Sequence, residues 1–203
     1  MLIEQPPKIF RMLNPDGIFR IPSGDERRVY LTFDDGPIPE VTPWVLDVLD
    51  RYGVKATFFM VGDNVRKYPE VFEEVRRRGH RVGNHTMHHL QGSHCDTRRY
   101  LRDVEEANRL IGSDLFRPPH GWLRRKQAKI LASKYRIIMY DLVTRDYSKR
   151  LDAPRVVENV KRYARPGSII VFHDSLKSRE KLETALAESI EWLLEEGYSF
   201  GLL

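Results

Sequence analysis

Val29-Tyr30-Leu31-Thr32-Phe33-Asp34-Asp35-Gly36-Pro37 is the stretch on which the reading of this 203-residue chain turns. The run from Val29 to Phe33 is apolar, β-branched and aromatic, the composition of a buried strand. It stops at two adjacent carboxylates followed by Gly-Pro, a strand-ending signal. Neighbouring side chains on a regular strand point to opposite faces, so two acids that serve one site need the backbone to turn there. Taken alone, an Asp-Asp pair is well explained as a loop capping the next helix. As a functional pair it can bind a metal, act as a base, or divide those tasks.

Outward from this stretch, strands and helices alternate. Further strands are expected over 56–62, 81–83, 115–117, 136–142, 168–172 and 198–202, several without polar alternation, as parallel strands covered on both faces require. Helices are expected from Thr42-Pro43 to Gly53, over 69–78, over 96–111, after Gly121, from Asp152 to before Pro166, and over 180–196. Such alternation means parallel strands with helical crossovers, in an open sheet or a barrel. Residues 1–28, with turns at Asn14-Pro15-Asp16-Gly17 and Pro22-Ser23-Gly24, read as an arm packed on the domain formed by 29–203, and no chemistry is assigned to them.

The bulk numbers exclude several classes. At 41% hydrophobic and 31% charged the chain is that of a folded globular protein. The net charge of +5 is spread along the chain, and clusters such as Arg76-Arg77-Arg78 and Arg124-Arg125-Lys126 read as solvated faces, with no nucleic-acid module around them. Cys95 is the sole cysteine, so no intrachain disulfide forms. No apolar run reaches membrane-spanning length, and the first eleven residues carry no apolar signal core, so a cytoplasmic location is expected. Nothing in the sequence specifies the oligomeric state.

Asp34, Asp35, His85, Arg117, Asp146 and His173 all fall at or just after expected strand ends, where barrels of parallel strands gather their functional groups. His85 and His89 are four apart and would share a face of one helical turn, as would His85 and His88. Two imidazoles and a carboxylate make a three-ligand zinc site with an open position. Spacing leaves the choice between His88 and His89 open. Hydrolysis of an amide or ester would then use one aspartate as ligand and the other as base, with Arg117 pairing the base. His173 could protonate a departing amine, and a backbone N–H could face the oxyanion. Asp141 and Asp146, on spacing alone, read as turn caps.

Four motifs occur in order: Thr-Phe-Asp-Asp-Gly-Pro at 32–37, His-Thr-Met-His-His at 85–89, Arg-Pro-Pro-His-Gly at 117–121 and Val-Phe-His-Asp at 171–174. With them the chain resembles the polysaccharide deacetylases of carbohydrate esterase family 4, the NodB-type domain, over roughly residues 29 to 200. The resemblance implies a distorted (β/α) barrel of about seven parallel strands. It implies Asp34 as catalytic base, and Asp35, His85 and His89 as ligands of zinc or another divalent transition metal, which selects His89 over His88. It further implies Arg117 as tether of the base, the His120 N–H as oxyanion donor, His173 as general acid and Asp146 as the residue tuning it. Pro119, His120, Tyr147 and Phe172 are expected at the substrate.

Three motifs depart from the family pattern, at four positions. His120 stands where an aromatic residue, most often tyrosine, is usual. Val143 and Tyr147 replace the first acid and the tryptophan of Asp-x-x-Asp-Trp, and Asp141 is two residues too early to substitute. Phe172 replaces a leucine and would narrow a pocket for an acetyl methyl group. The implied activity is removal of N-acetyl groups from N-acetylated amino sugars, as in chitooligosaccharide or peptidoglycan-like glycans. Two alternatives stand beside it: the same mechanism on another acyl substrate, such as an O-acetyl ester, a formylated or lipid-linked amino sugar or a small cyclic amide, and a glycan-binding protein with a dead site.

Overall fold

The strand that carries Asp34 lies inside the sheet, with neighbours on both sides, as its uninterrupted apolar composition requires. A computed structural model describes residues 4–22, 24 and 26–203. The elements in chain order are α1 (Lys8–Leu13), β1 (Gly17–Ile18), β2 (Arg28–Asp34), α2 (Thr42–Arg51), β3 (Thr57–Met60), α3 (Gly62–Lys67), α4 (Pro69–Arg77) and β4 (Arg81–Asn84). There follow α5 (Thr97–Ile111), β5 (Leu115–Phe116), α6 (Arg125–Ala132), β6 (Arg136–Ile138), β7 (Leu142–Val143), α7 (Ala153–Tyr163), β8 (Ile169–His173), α8 (Arg179–Glu195) and β9 (Ser199–Phe200).

The strands run in the order β1-β6-β5-β4-β3-β2-β8-β7, with β9 added to the start of β2, and every strand pairing is parallel. The result is a curled sheet wrapped by helices, the distorted (β/α) barrel expected. Its register puts functional positions side by side: Asp34 lies opposite Phe59 of β3 and His173 of β8. One rung lower, Phe33 stacks on Phe58 at 4.9 Å and on Phe172 at 5.9 Å between ring centroids. This aromatic layer belongs to the main core, which continues into the apolar faces of α2, α7 and α8. No helix among the described residues is long and apolar enough to cross a membrane.

One expected strand is two. The apolar run over 136–142 splits into β6 and β7, which lie near opposite edges of the sheet. Between them the backbone crosses the seam of the barrel: the Met139 N–H donates to Ile18 of β1 at 2.8 Å, and the Asp141 N–H donates to Ile169 of β8 at 3.0 Å. An unbroken apolar run cannot show where a strand changes partner, because both partners demand the same composition. Residues 62–67 form a further helix, α3, that the sequence reading did not separate.

The amino-terminal arm closes this seam. Of the residues read as an arm over 1–28, residues 1–3, 23 and 25 lie outside the described residues, and the turn expected at Pro22-Ser23-Gly24 falls partly among them. The described part contributes β1 to the sheet, and the Glu4 carbonyl accepts from the Val143 N–H at 2.8 Å. Asp141, fully buried, accepts hydrogen bonds from Arg11 at 2.6 Å, from Arg165 at 2.6 and 2.8 Å, and from Ser168 at 2.7 Å. It clamps the arm to the barrel rather than capping a turn. Asp141→Ala is expected to lower stability by about 2–3 kcal/mol in urea unfolding, because hydrogen bonds to a charged group are lost while both arginines can still reach solvent.

Candidate active site and metal centre

At the carboxyl ends of the strands a cavity of about 270 Å³ opens, and Asp34, Asp35, His85, His89, Arg117, His120, Tyr147 and His173 all line it. Met139, Tyr140, Val143 and Val171 supply an apolar wall, and Lys177 stands at its margin. The adjacent acids are separated by a turn, as the strand argument demands: Asp34 ends β2, whereas Asp35 has left-handed backbone with φ 84°. Asp174 holds that turn. Its carboxyl oxygens accept from the Gly36 N–H at 3.1 Å and from Thr42 Oγ1 at 2.6 Å. A Cβ on Gly36 would lie 2.0 Å from Asp174 Oδ2, so only glycine fits. Burial, together with the charge of Asp35, pushes the Asp174 carboxyl up to about 8.

The buried Asp34 carboxylate accepts from Arg117 Nη1 at 2.6 Å. Arg117 is itself buried and fixed by Thr32 Oγ1 at 2.8 Å, the Met139 carbonyl at 3.1 Å and the Ile138 carbonyl at 3.4 Å. Its guanidinium also lies 4.1 Å over the Phe59 ring, in cation–π contact.

Beside this pair, one ligand atom from each of Asp35, His85 and His89 lies within 4.8 Å of the others. His85 Nδ1 is 2.8 Å from the Arg117 carbonyl, an arrangement that fixes the ring and leaves Nε2 to face the cluster. Burial lowers the His85 pKa to about 4, so the ring is neutral, as a ligating imidazole must be. Asp35 Oδ1 is 3.1 Å from His89 Nε2 and 3.8 Å from His85 Nε2, yet it is buried without a hydrogen-bond partner. Burial would raise the Asp35 pKa, but contact with His89 and the charges of His173 and His85 outweigh it and hold this carboxyl well below the usual range. An orphaned carboxylate oxygen converging with two imidazole nitrogens fits a divalent metal of the zinc type.

The path from His85 to His89 is not the helical turn that their spacing suggests. Thr86 and His89 have positive φ, 67° and 53°, so the two rings converge through a tight non-helical turn. His88, the rejected alternative, turns away and lies 2.6 Å from Asp103 through Nδ1.

Across the cavity, His173 Nδ1 is 2.8 Å from Asp146 Oδ1, and the His173 N–H donates to Asp146 Oδ2 at 2.7 Å. Asp146 is fully buried and also accepts from the Tyr147 N–H at 3.0 Å, so it caps a turn and orients a histidine at once. Burial lowers the His173 pKa, but the paired Asp146 carboxylate overrides this and raises it to about 9. The Tyr147 ring meets His173 edge-on at 4.7 Å. His120 sits in left-handed backbone, φ 59°, with its ring 4.8 Å from that of His89. The local turn bonds run from Gly121 to Pro118 and from Trp122 to Pro119, so neither uses the His120 N–H.

Two expected residues lie elsewhere. Phe172 is fully buried in the aromatic core and does not narrow the cavity, because strand alternation turns its neighbours Val171 and His173 inward instead. Pro119 is buried, and Pro118 and Gly121 line the cavity in its place. Met139, Tyr140 and Lys177 escaped the sequence reading. The first two lie inside an apparent strand and the third in a polar loop, and only the seam crossing brings Met139 and Tyr140 to the site.

Comparison with known proteins agrees with this geometry. The polysaccharide deacetylase family profile matches residues 22–135. A peptidoglycan-N-acetylglucosamine deacetylase of Bacillus cereus is 33% identical over 198 residues, covering 93% of this chain and 92% of its own. A chitooligosaccharide deacetylase of Rhizobium leguminosarum bv. trifolii is 36% identical over 157 residues, 74% of this chain and 73% of its own. The solved structure of the Bc1960 peptidoglycan N-acetylglucosamine deacetylase, in complex with an N-hydroxybenzamide, superposes with a TM-score of 0.86 at 32% identity, over 96% of this chain and 94% of that one. BA3943 of Bacillus anthracis, described as a pseudoenzyme of carbohydrate esterase family 4, superposes with a TM-score of 0.82 at 27% identity, over 92% and 69%. The chain belongs to the polysaccharide deacetylase family.

The raised His173 pKa has a measurable sign. By NMR the imidazole should titrate near pH 9, and Asp146→Asn should bring it down toward the ordinary 6.5. Because the folded value exceeds the unfolded one, the ion pair contributes its full stability below about pH 6.5 and loses it as pH rises through about 9. Unfolding free energies at pH 6 and pH 10 should therefore differ more in the wild type than in Asp146→Asn.

Proposed function

We propose that this chain is a metal-dependent hydrolase that removes the N-acetyl group from N-acetylglucosamine-containing glycans, the substrates named for its relatives. The observation that carries the reading is one cavity faced by a tethered carboxylate, a converging Asp-His-His cluster and a carboxylate-paired histidine. Asp35, His85 and His89 would hold the metal, zinc or another divalent transition ion, which one oxygen and two nitrogen donors suit. When bound, such an ion polarises an acyl oxygen and makes water more acidic.

The remaining steps belong to the chain's own groups. Asp34 takes the proton of the attacking water, and Arg117 keeps its carboxylate aimed into the cavity. As the water oxygen bonds to the acetyl carbon, the His120 N–H donates to the developing oxyanion. His173, protonated at neutral pH and held through Nδ1 by Asp146, gives its Nε2 proton to the sugar nitrogen as the C–N bond breaks. Acetate and a free amino sugar result. The apolar wall of Met139, Val143 and Val171 is suited to the acetyl methyl group.

With all these groups present, the active reading is favoured over a dead site like that of the pseudoenzyme. Acetate release from N-acetylglucosamine oligomers and peptidoglycan fragments, with O-acetylated xylan as comparator, tests it. Zinc-loaded protein is expected to act on the N-acetylated substrates, and chelation is expected to abolish the activity. Asp34→Asn should lower turnover by at least about 10³-fold while leaving zinc binding intact. Retained turnover in that variant overturns the base assignment, and no release from any N-acetylated glycan overturns the substrate class.

A further inference from the structure

The turn that carries the metal-ligand candidates is clamped on both sides by groups outside it. Its carbonyls are taken by the start of α3: the Gly62 N–H donates to Thr86 at 2.9 Å and the Asp63 N–H to Met87 at 3.0 Å. A Cβ at position 62 would lie 2.6 Å from Met87 Sδ and 2.9 Å from the Ala107 Cβ, so glycine is needed for this approach. Within the turn, the Thr86 N–H donates to Asn84 Oδ1 at 2.8 Å and the Leu90 N–H to Thr86 Oγ1 at 3.1 Å.

Two further N–H groups of the turn go to one carboxylate on α5. Met87 and His88 donate to Asp103 Oδ2 at 2.8 and 3.1 Å, and His88 Nδ1 contacts Asp103 Oδ1 at 2.6 Å. Asp103 is only 7% exposed and lines neither the cavity nor the groove beside it. A helix of α5's composition would ordinarily leave an aspartate in solvent. Here it lies on the inward side with Tyr100, Val104, Ala107 and Ile111, and its hydrogen bonds go to Met87 and His88, two of the three residues between His85 and His89.

We propose that Asp103 is a positioning residue for metal binding: it fixes the strained 86–89 turn so that His85 and His89 converge before any ion arrives. The inference rests on the reading of Asp35, His85 and His89 as metal ligands. Left-handed backbone at Thr86 and His89 is sterically unfavourable for residues with a Cβ and persists only where the surroundings over-determine it. Asp103 supplies the acceptors that make the turn the lowest state of the metal-free chain. Without them the two rings can separate, and the ion has to restore their convergence from its own binding energy.

The test measures zinc affinity by chelator competition, and the visible spectrum of the cobalt-substituted protein at saturation, in full-length wild type, Asp103→Asn, His88→Ala and His89→Ala. Asp103→Asn keeps the side chain's shape but offers an NH₂ where donors converge. It is expected to bind zinc at least about 10-fold more weakly, with an altered cobalt spectrum. His88→Ala removes one exposed ring from the clamp, leaves both backbone bonds, and is expected to lose about 3-fold, the worth of one net hydrogen bond. If Asp103→Asn does not fold, His88→Ala decides by the same two readouts. A purely structural Asp103 would lower the melting temperature of the metal-free protein yet leave affinity and spectrum at wild-type values, and that result overturns the inference alone. Equal zinc affinity in wild type and His89→Ala removes the metal-ligand reading, and the inference with it.

Discussion

The buried guanidinium of Arg117 is the constraint on which the active end of the barrel depends. Taking a charge out of water is costly unless its donors are satisfied, and here they are spent on four different partners: Asp34, Thr32, Ile138 and Met139. Those partners belong to β2, β6 and the seam crossing, so one side chain fixes the proposed base and the cavity wall together. The same residue's carbonyl orients His85. The proposed base and a metal-ligand candidate are thus referenced to a single point at the end of β5, and displacement of Arg117 would disturb both.

Asp34, Asp35 and Asp174 show how environment divides like groups. Two are neighbours in sequence and the third lies behind their turn, yet each has a separate partner. Asp34 has an arginine, Asp35 has imidazoles, and Asp174 has a hydroxyl and a backbone N–H. Asp174 holds its proton up to about 8, so it does not add a third negative charge behind the cluster at neutral pH.

Much of this was legible in the sequence because parallel strands buried on both faces leave unbroken apolar runs, and the polar residue that ends each run marks the active end of the barrel. Asp34, Arg117 and His173 were found in that way. What escaped notice depended on partners distant in sequence. The run over 136–142 has one composition and two sets of neighbours. The turn from His85 to His89 has helical spacing and left-handed backbone. Asp103 looks like a solvated helix charge until the loop it serves is placed beside it. Phe172 is different, because alternation from His173 already assigns it to the opposite face.

β2 pairs with β3, whose register partners lie 25 residues further along, but its other long edge is covered by β8, whose register partners lie 139 residues further along. A nascent chain lacking that last part would already contain Asp34, Asp35, His85, His89 and Arg117. It would lack His173, the proposed general acid, and its central strand would present an open edge of unpaired backbone groups. The strand on which the proposed base sits is therefore also a strand open to wrong pairing during synthesis. Completing the active site and hiding that edge are the same event.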